Sequence, residues 1–216
     1  MNVLRNSPPL LFFLFKFLIS AAQVPGEFRP CPEPEAVKRL LKNQLNAIQS
    51  IRARFRQEKD NPILARPQTS AGVFCFSRPD KIRWEYQKPY AWLFILQNQE
   101  LYRSENGQEV ATSPQQKRWF TSMAGSVIRM IQSGMLENPD YEHSFFCDPG
   151  GRILVRLKPR NSRIARYIRE IHLYFPPGGG ALERMDMLEN PEGVTRLFFE
   201  DQSINPTVSE DCFSKP

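Results

Sequence analysis

The stretch Gly72-Val73-Phe74-Cys75-Phe76-Ser77-Arg78-Pro79-Asp80-Lys81-Ile82-Arg83-Trp84-Glu85-Tyr86 decides the fold. It reads as two β-strands around an Arg78-Pro79-Asp80 corner. Pro79 fixes its own φ and cannot donate to a ladder, and Asp80 favours a turn. Before the corner Phe74 and Phe76 share one face. After it Ile82, Trp84 and Tyr86 share one face, with Lys81, Arg83 and Glu85 on the other. A hairpin this apolar on one side must bury that side.

Upstream, Ile51, Ala53, Phe55 and Gln57 alternate with Arg52, Arg54, Arg56 and Glu58, which predicts a strand with one apolar and one basic face. The basic face reads as solvated surface or as a lipid-headgroup site. Before it, Val37, Leu40, Leu41, Leu45 and Ile48 recur at helical spacing and predict a helix over 35–49. Residues 23–34 are a proline-rich lead-in without periodicity.

Downstream, Tyr90 to Leu96 is apolar at every position, as in a strand covered on both faces. After a turn at Asn106-Gly107, Ser113-Pro114 opens a helical stretch. Phe120, Met123, Val127, Ile128, Met130, Ile131 and Met135 form its apolar flank, and Gly134 is expected to stop it. Methionines fill irregular gaps, so this flank is either core filling or a mobile face toward a cargo. The remainder reads as a meander. Ser144–Cys147 pairs with 153–158, a basic connection over 160–169 holds a short helix, and strands carrying Ile171, Leu173 and Phe175, then Leu182–Leu188, then Thr195, Leu197 and Phe199 follow. The sum is mainly β with α. An incomplete antiparallel barrel of about ten to eleven strands is expected, with an N-terminal helix and a helical lid over its concave apolar face.

The chain has 216 residues, one domain's worth, with 41% hydrophobic and 24% charged residues. Arg5, the apolar run 10–19 and Ser20-Ala21-Ala22 predict a cleaved export signal over 1–22, leaving one domain over 35–216. Removing Arg5 and Lys16 leaves 27 Lys+Arg against 23 Asp+Glu, a mild +4 that suits approach to an anionic membrane and is no nucleic-acid footprint. Export permits disulfides among Cys31, Cys75, Cys147 and Cys212 in three connectivities. Nearness of chain ends favours Cys31–Cys212 with Cys75–Cys147, and free buried thiols are the alternative for the latter two. The spacing excludes a zinc site, since there is no C-x-x-C and the two histidines, His143 and His172, stand apart. No G-x-S-x-G, H-E-x-x-H or P-loop is present, and Asp186 and Glu189 read as surface charge, so no enzyme is expected.

Several pieces together resemble the periplasmic carriers of outer-membrane lipoproteins, the LolA-like family. They are Ile51-x-Ala53-x-Phe55-x-Gln57, Gly72-x-Phe74-x-Phe76-x-Arg78-Pro79, Ile82-x-Trp84, Leu157-x-Pro159, the paired strands through Ile171 and Leu188, and Ile204-Asn205. The resemblance implies an apolar cavity that takes the acyl chains of lipoproteins released by an inner-membrane ABC transporter, with delivery to an outer-membrane acceptor lipoprotein. It implies a periplasmic monomer of a Gram-negative-type bacterium without a cofactor or metal. The cavity is expected to involve Phe55, Phe74, Phe76, Ile82, Trp84, Phe94, Met123, Val127, Ile131, Leu173, Leu197 and Phe199. Arg78, in the family's Arg-Pro position, is expected to bond to the lid and latch the empty cavity. Two features depart from the family pattern: Gln97-Asn98-Gln99-Glu100 replaces a Ser-Asp-Gly turn, and there are four cysteines. Alternatives are a carrier of a glycolipid or other acylated molecule, and a lipid-sensing regulatory module.

Overall fold

The computed structural model describes residues 25–62 and 65–216, apart from the side chains of Trp119 and Met123. The expected signal, 1–22, lies outside the described residues. Helix α1 (Pro34–Ala47) starts with Pro at its first position and Glu35 in its first turn, which suits the free N–H groups and the helix dipole. Strands β2 (Ser50–Asp60), β3 (Gln68–Ser77), β4 (Lys81–Lys88), β5 (Trp92–Gln97), β6 (Glu100–Glu105) and β7 (Gln108–Glu109) follow. Helix α2 (Pro114–Ile131) is next, then β8 (Tyr141–Cys147), β9 (Ile153–Pro159), a one-turn α3 (Ser162–Ala165), β10 (Ile168–Phe175), β11 (Arg184–Glu189) and β12 (Gly193–Ile204). Strand β1 (Arg29–Pro30) lies in the lead-in.

All twelve strands form one antiparallel sheet in the order β1-β8-β9-β10-β11-β12-β2-β3-β4-β5-β6-β7. Its ends do not meet, so the barrel stays open. The twelve include two two-residue edge pieces, β1 and β7. Short edges limit the unpaired backbone offered to another chain.

The opening hairpin forms as read. Phe74 faces Trp84 and Phe76 faces Ile82 across β3 and β4, all toward the concave side. Gly72 sits at a register shift, where a side chain would run into the Glu85 carbonyl. Alternation carries the same face through β2, β12 and β10, so Phe55, Phe199, Leu197 and Leu173 join one cluster with Leu41 and Leu45 of α1 and Phe120 and Ala124 of α2. Strand β5 is covered on both faces. Phe94 and Leu96 point inward, while Leu93 and Ile95 pack outward against Phe213 and Cys212 of a C-terminal 3₁₀ turn.

The cysteine pairing differs from the expectation. Cys31 bonds Cys147 and Cys75 bonds Cys212. The two ends of the described chain lie on different parts of the sheet: β1 pairs with β8, and the tail packs outside β3–β5. Each end is therefore stapled to the strand beneath it.

Helix α2 begins in a capping box, with Ser113 Oγ accepting from the Gln116 N–H and Gln116 Oε1 accepting from the Ser113 N–H. It ends at Ile131, and Ser133 rather than Gly134 takes the left-handed conformation (φ 64°). Ser133 is buried and its hydroxyl donates to Asn46 Oδ1, which compensates a conformation that glycine usually supplies. Asp186 is buried rather than exposed, accepting from Nε and Nη2 of Arg184 and from the Tyr174 hydroxyl. His172 lies on the outer face yet is enclosed, its Nε2 2.8 Å from Glu170 Oε2. Among the described residues no helix is long and apolar enough to cross a membrane.

Candidate binding cavity

The concave face holds more apolar surface than the helices fill. Between α2 and the sheet lies a cavity of about 580 Å³, within the range of small-molecule sites. Trp84, Phe94, Leu197, Ile171 and Met185 of the sheet and Val127, Met130 and Met135 of the helical side form its walls. Beyond them a void of about 30 Å³ continues between Leu45, Ile48, Phe74, Ile131 and Phe199.

The strand ends show where the cavity opens. Gln57, Tyr86, Trp92, Ile168, Met187 and Thr195 line it. All lie near the end of the sheet where β2 stops, β4 turns into β5, β10 starts and β11 turns into β12. Arg129, Asn138 and Asp140 complete this mouth. The Tyr86 hydroxyl donates to Gln57 Oε1 at 2.9 Å, a polar spot in a greasy wall. Burial pushes the Tyr86 phenol up from its ordinary value. Tyr141 is raised too, by burial and then by the Asp140 carboxylate, with Arg129 pulling the other way.

At the opposite end the helices are tied to the hairpin corner. Arg78 Nε donates to the Ile48 carbonyl at 2.6 Å and Nη2 to the Asn46 carbonyl at 3.1 Å. Asn205 Nδ2 donates to the Ala47 carbonyl at 3.2 Å. Three carbonyls at the end of α1 thus gain partners from outside the helix, which has no basic residue of its own in its last turn. Gln132, just past α2, donates to the Pro79 carbonyl at 3.3 Å. Arg78 therefore bonds α1, not α2, while α2 ends against the same corner.

The structure separates the residues expected at the cavity into three groups. Trp84, Phe94, Val127 and Leu197 line it. Phe74, Ile131 and Phe199 line the small void, which Val127 also reaches. Phe55, Phe76, Ile82 and Leu173 are buried in the same cluster but line neither space. The Met123 side chain is outside the description. Sequence reasoning missed Gln57, Tyr86, Trp92, Ile164, Ile168, Met185 and Met187. The Met185/Met187 alternation was a usable signal, because two flexible side chains two apart on one strand face reach the same space.

A model of the family described as outer membrane lipoprotein carrier protein LolA matches residues 46–215. An outer-membrane lipoprotein carrier protein of Cupriavidus necator is 27% identical over 206 residues, covering 92% of each chain. One from Cupriavidus pinatubonensis is 28% identical over 180 residues, covering 80% of each. Among solved structures, an uncharacterized conserved protein from Thermus thermophilus superposes with a TM-score of 0.51 at 11% identity, covering 82% of this chain and 92% of that one; this likeness is one of fold.

Proposed function

The chain belongs to the LolA family of outer-membrane lipoprotein carriers, and from that membership we propose that it shelters the acyl chains of lipoproteins in transit from the inner to the outer membrane. The observation that carries this reading is the apolar cavity of about 580 Å³, open at one end and walled by Trp84, Phe94, Leu197 and four methionines. In this reading the protein is exported by residues 1–22, acts in the periplasm as a monomer, receives its cargo from an inner-membrane ABC transporter and passes it to an acceptor lipoprotein.

The physical problem for such a carrier is release. Each buried methylene contributes about 0.8 kcal/mol, so a long chain fully inside would be held by roughly 10 kcal/mol. A lid that packs against the sheet when the cargo leaves recovers part of that burial and sets it against binding. Methionines suit such a wall, because they repack without a fixed shape. Arg78 is the latch of this reading. Its bonds to the Ile48 and Asn46 carbonyls hold α1 to the corner where α2 also ends.

The test is purification of the exported protein from the periplasm, with mass spectrometry of what accompanies it. Acylated proteins are the expected companions. Recovery of free glycolipid alone would replace lipoproteins by a glycolipid as the cargo, and recovery of no acylated molecule would overturn the carrier reading.

A further inference from the structure

The mouth of the cavity is surrounded by one recurring chemistry. Tyr90 stands in the turn between Tyr86 and Trp92, which both line the mouth. Tyr167 stands between Ile164 and Ile168, which line it from the other side. These two tyrosines are 78% and 66% exposed, the most open large apolar side chains among the described residues. Asn190 of the β11–β12 turn fixes the Tyr167 loop, its backbone N–H donating to the Tyr167 carbonyl and its side chain to the Ala165 carbonyl.

Cations accompany both rings. Lys88 and Arg66 are exposed at the Tyr90 end, and Arg160, Arg163 and Arg166 are exposed around Tyr167. None of the five forms an ion pair among the described residues. Elsewhere Arg56, Arg83, Arg152 and Arg184 are paired with carboxylates, while Arg29, Arg39, Arg52 and Arg118 are exposed without an ion pair among the described residues. The exposed acids at this end are Asp60, Glu105, Asp140, Glu142 and Glu192, of which Glu105 is already paired with Arg103 and Asp140 already accepts from Asn161.

We propose that this rim docks on an anionic lipid bilayer, with Tyr90 and Tyr167 in the headgroup layer and the five cations against lipid phosphates. Tyrosine places an apolar ring and a polar tip at the depth where a bilayer changes character. Unpaired cations gain most from an anionic surface, because no internal partner has to be given up. A protein partner would be met by a contiguous apolar core. Here the two rings stand on separate loops with charges around them. The proposal rests on reading the cavity as an acyl-chain site, since docking then turns its open end toward the bilayer in which the donor or acceptor of the chains sits.

The experiment is co-sedimentation of the mature protein with vesicles of phosphatidylcholine alone and with added phosphatidylglycerol. Binding is expected only to the anionic vesicles and is expected to weaken as salt rises. The variant Arg160→Gln/Arg163→Gln/Arg166→Gln is expected to lower partitioning roughly a hundredfold, and Tyr90→Ser/Tyr167→Ser to weaken it further. No binding to anionic vesicles, or equal binding by the triple variant, would overturn the proposal and leave a protein partner for the rim. Uptake of a fluorescent fatty acid without vesicles separates the two readings. The rim variants are expected to load as wild type does. Vesicle binding by a protein that takes up no fatty acid would keep the docking surface and remove the acyl-chain cavity.

Discussion

The guanidinium of Arg103 lies 4.7 Å from the ring centre of Phe120, so a cation on the concave side of β6 is stacked under α2. Arg103 is only 7% exposed. Its Nη2 donates to Glu105 at 2.8 Å, while its Nε and Nη1 meet no partner among the described residues. Phe120 also packs on Trp92 and Phe94 at 5.7 and 5.8 Å, and those two rings line the cavity. The first half of α2 is thus held over the cavity by a stack with a charged group at its edge.

That stack predicts the behaviour of Arg103→Met. A residue of similar length removes a costly buried charge, so global stability by urea unfolding is expected to stay within about 1 kcal/mol of wild type. Local opening of α2 is expected to rise about two- to thirtyfold, the equivalent of about 0.5–2 kcal/mol of cation–π attraction. Limited proteolysis at Lys117 and Arg118 reads this directly. Unchanged cleavage would mean that the stack does not hold the helix.

The corner predicts the behaviour of Arg78→Leu. Two charge-assisted bonds to α1 carbonyls are lost, at a cost of about 1.5–3 kcal/mol in urea unfolding. If Arg78 also latches the empty state, the variant takes up cargo but releases it slowly to an acceptor. Normal transfer with lowered stability would reduce Arg78 to a helix cap.

Met187→Glu puts a carboxylate at the mouth of the cavity, where it can reach water. Fatty-acid uptake is expected to fall at least tenfold, since an acyl chain would have to pass a charge that resists desolvation. The circular dichroism spectrum should not change. Full uptake by a folded variant would place the chains elsewhere.

The disulfides close long loops, 116 residues apart for Cys31–Cys147 and 137 for Cys75–Cys212. Removing either pair is expected to cost about 2–4 kcal/mol. Cys75→Ser/Cys212→Ser should also free the tail and uncover Leu93 and Ile95, seen as new binding of a hydrophobic dye. Peptide mapping without reductant should recover Cys31 with Cys147. Recovery of Cys31 with Cys212 would contradict the fold.

Tyr174 is pushed up to about 12, by burial first and then by the Asp186 carboxylate that its hydroxyl meets. In the unfolded chain it titrates near 10. Between those values the unfolded state gives up the proton first, so this share of stability is full below about pH 10 and is lost as pH rises through the folded value. Tyr86 and Tyr141 are raised as well and add in the same direction. Tyr174→Phe is expected to flatten the fall in urea midpoint between about pH 10 and 12. An equal slope in wild type and variant would assign that fall to other groups.

The inward face of nearly every long strand was legible from residue order alone. Side chains alternate along a strand whatever surrounds it, so Phe74, Phe76, Ile82 and Trp84 had to share a side once they were strands. The capping box at Ser113 and the doubly covered strand β5 follow from equally local chemistry. Which of those inward residues touch the empty space was not legible. Trp84 and Phe94 line the cavity while Ile82 and Phe55 do not, although all four alternate alike. The difference comes from where α1 and α2 lie on a curved sheet.

Residue order by itself determined the strands, the greasy side and the corner at Arg78, because these depend on neighbours one to four positions away. The tertiary structure decided the cysteine partners, the burial of Asp186 and His172, and the position of the mouth. Each of these is a distance between segments far apart in sequence, set by sheet curvature and by which elements cover which strands, and no local periodicity encodes such a distance.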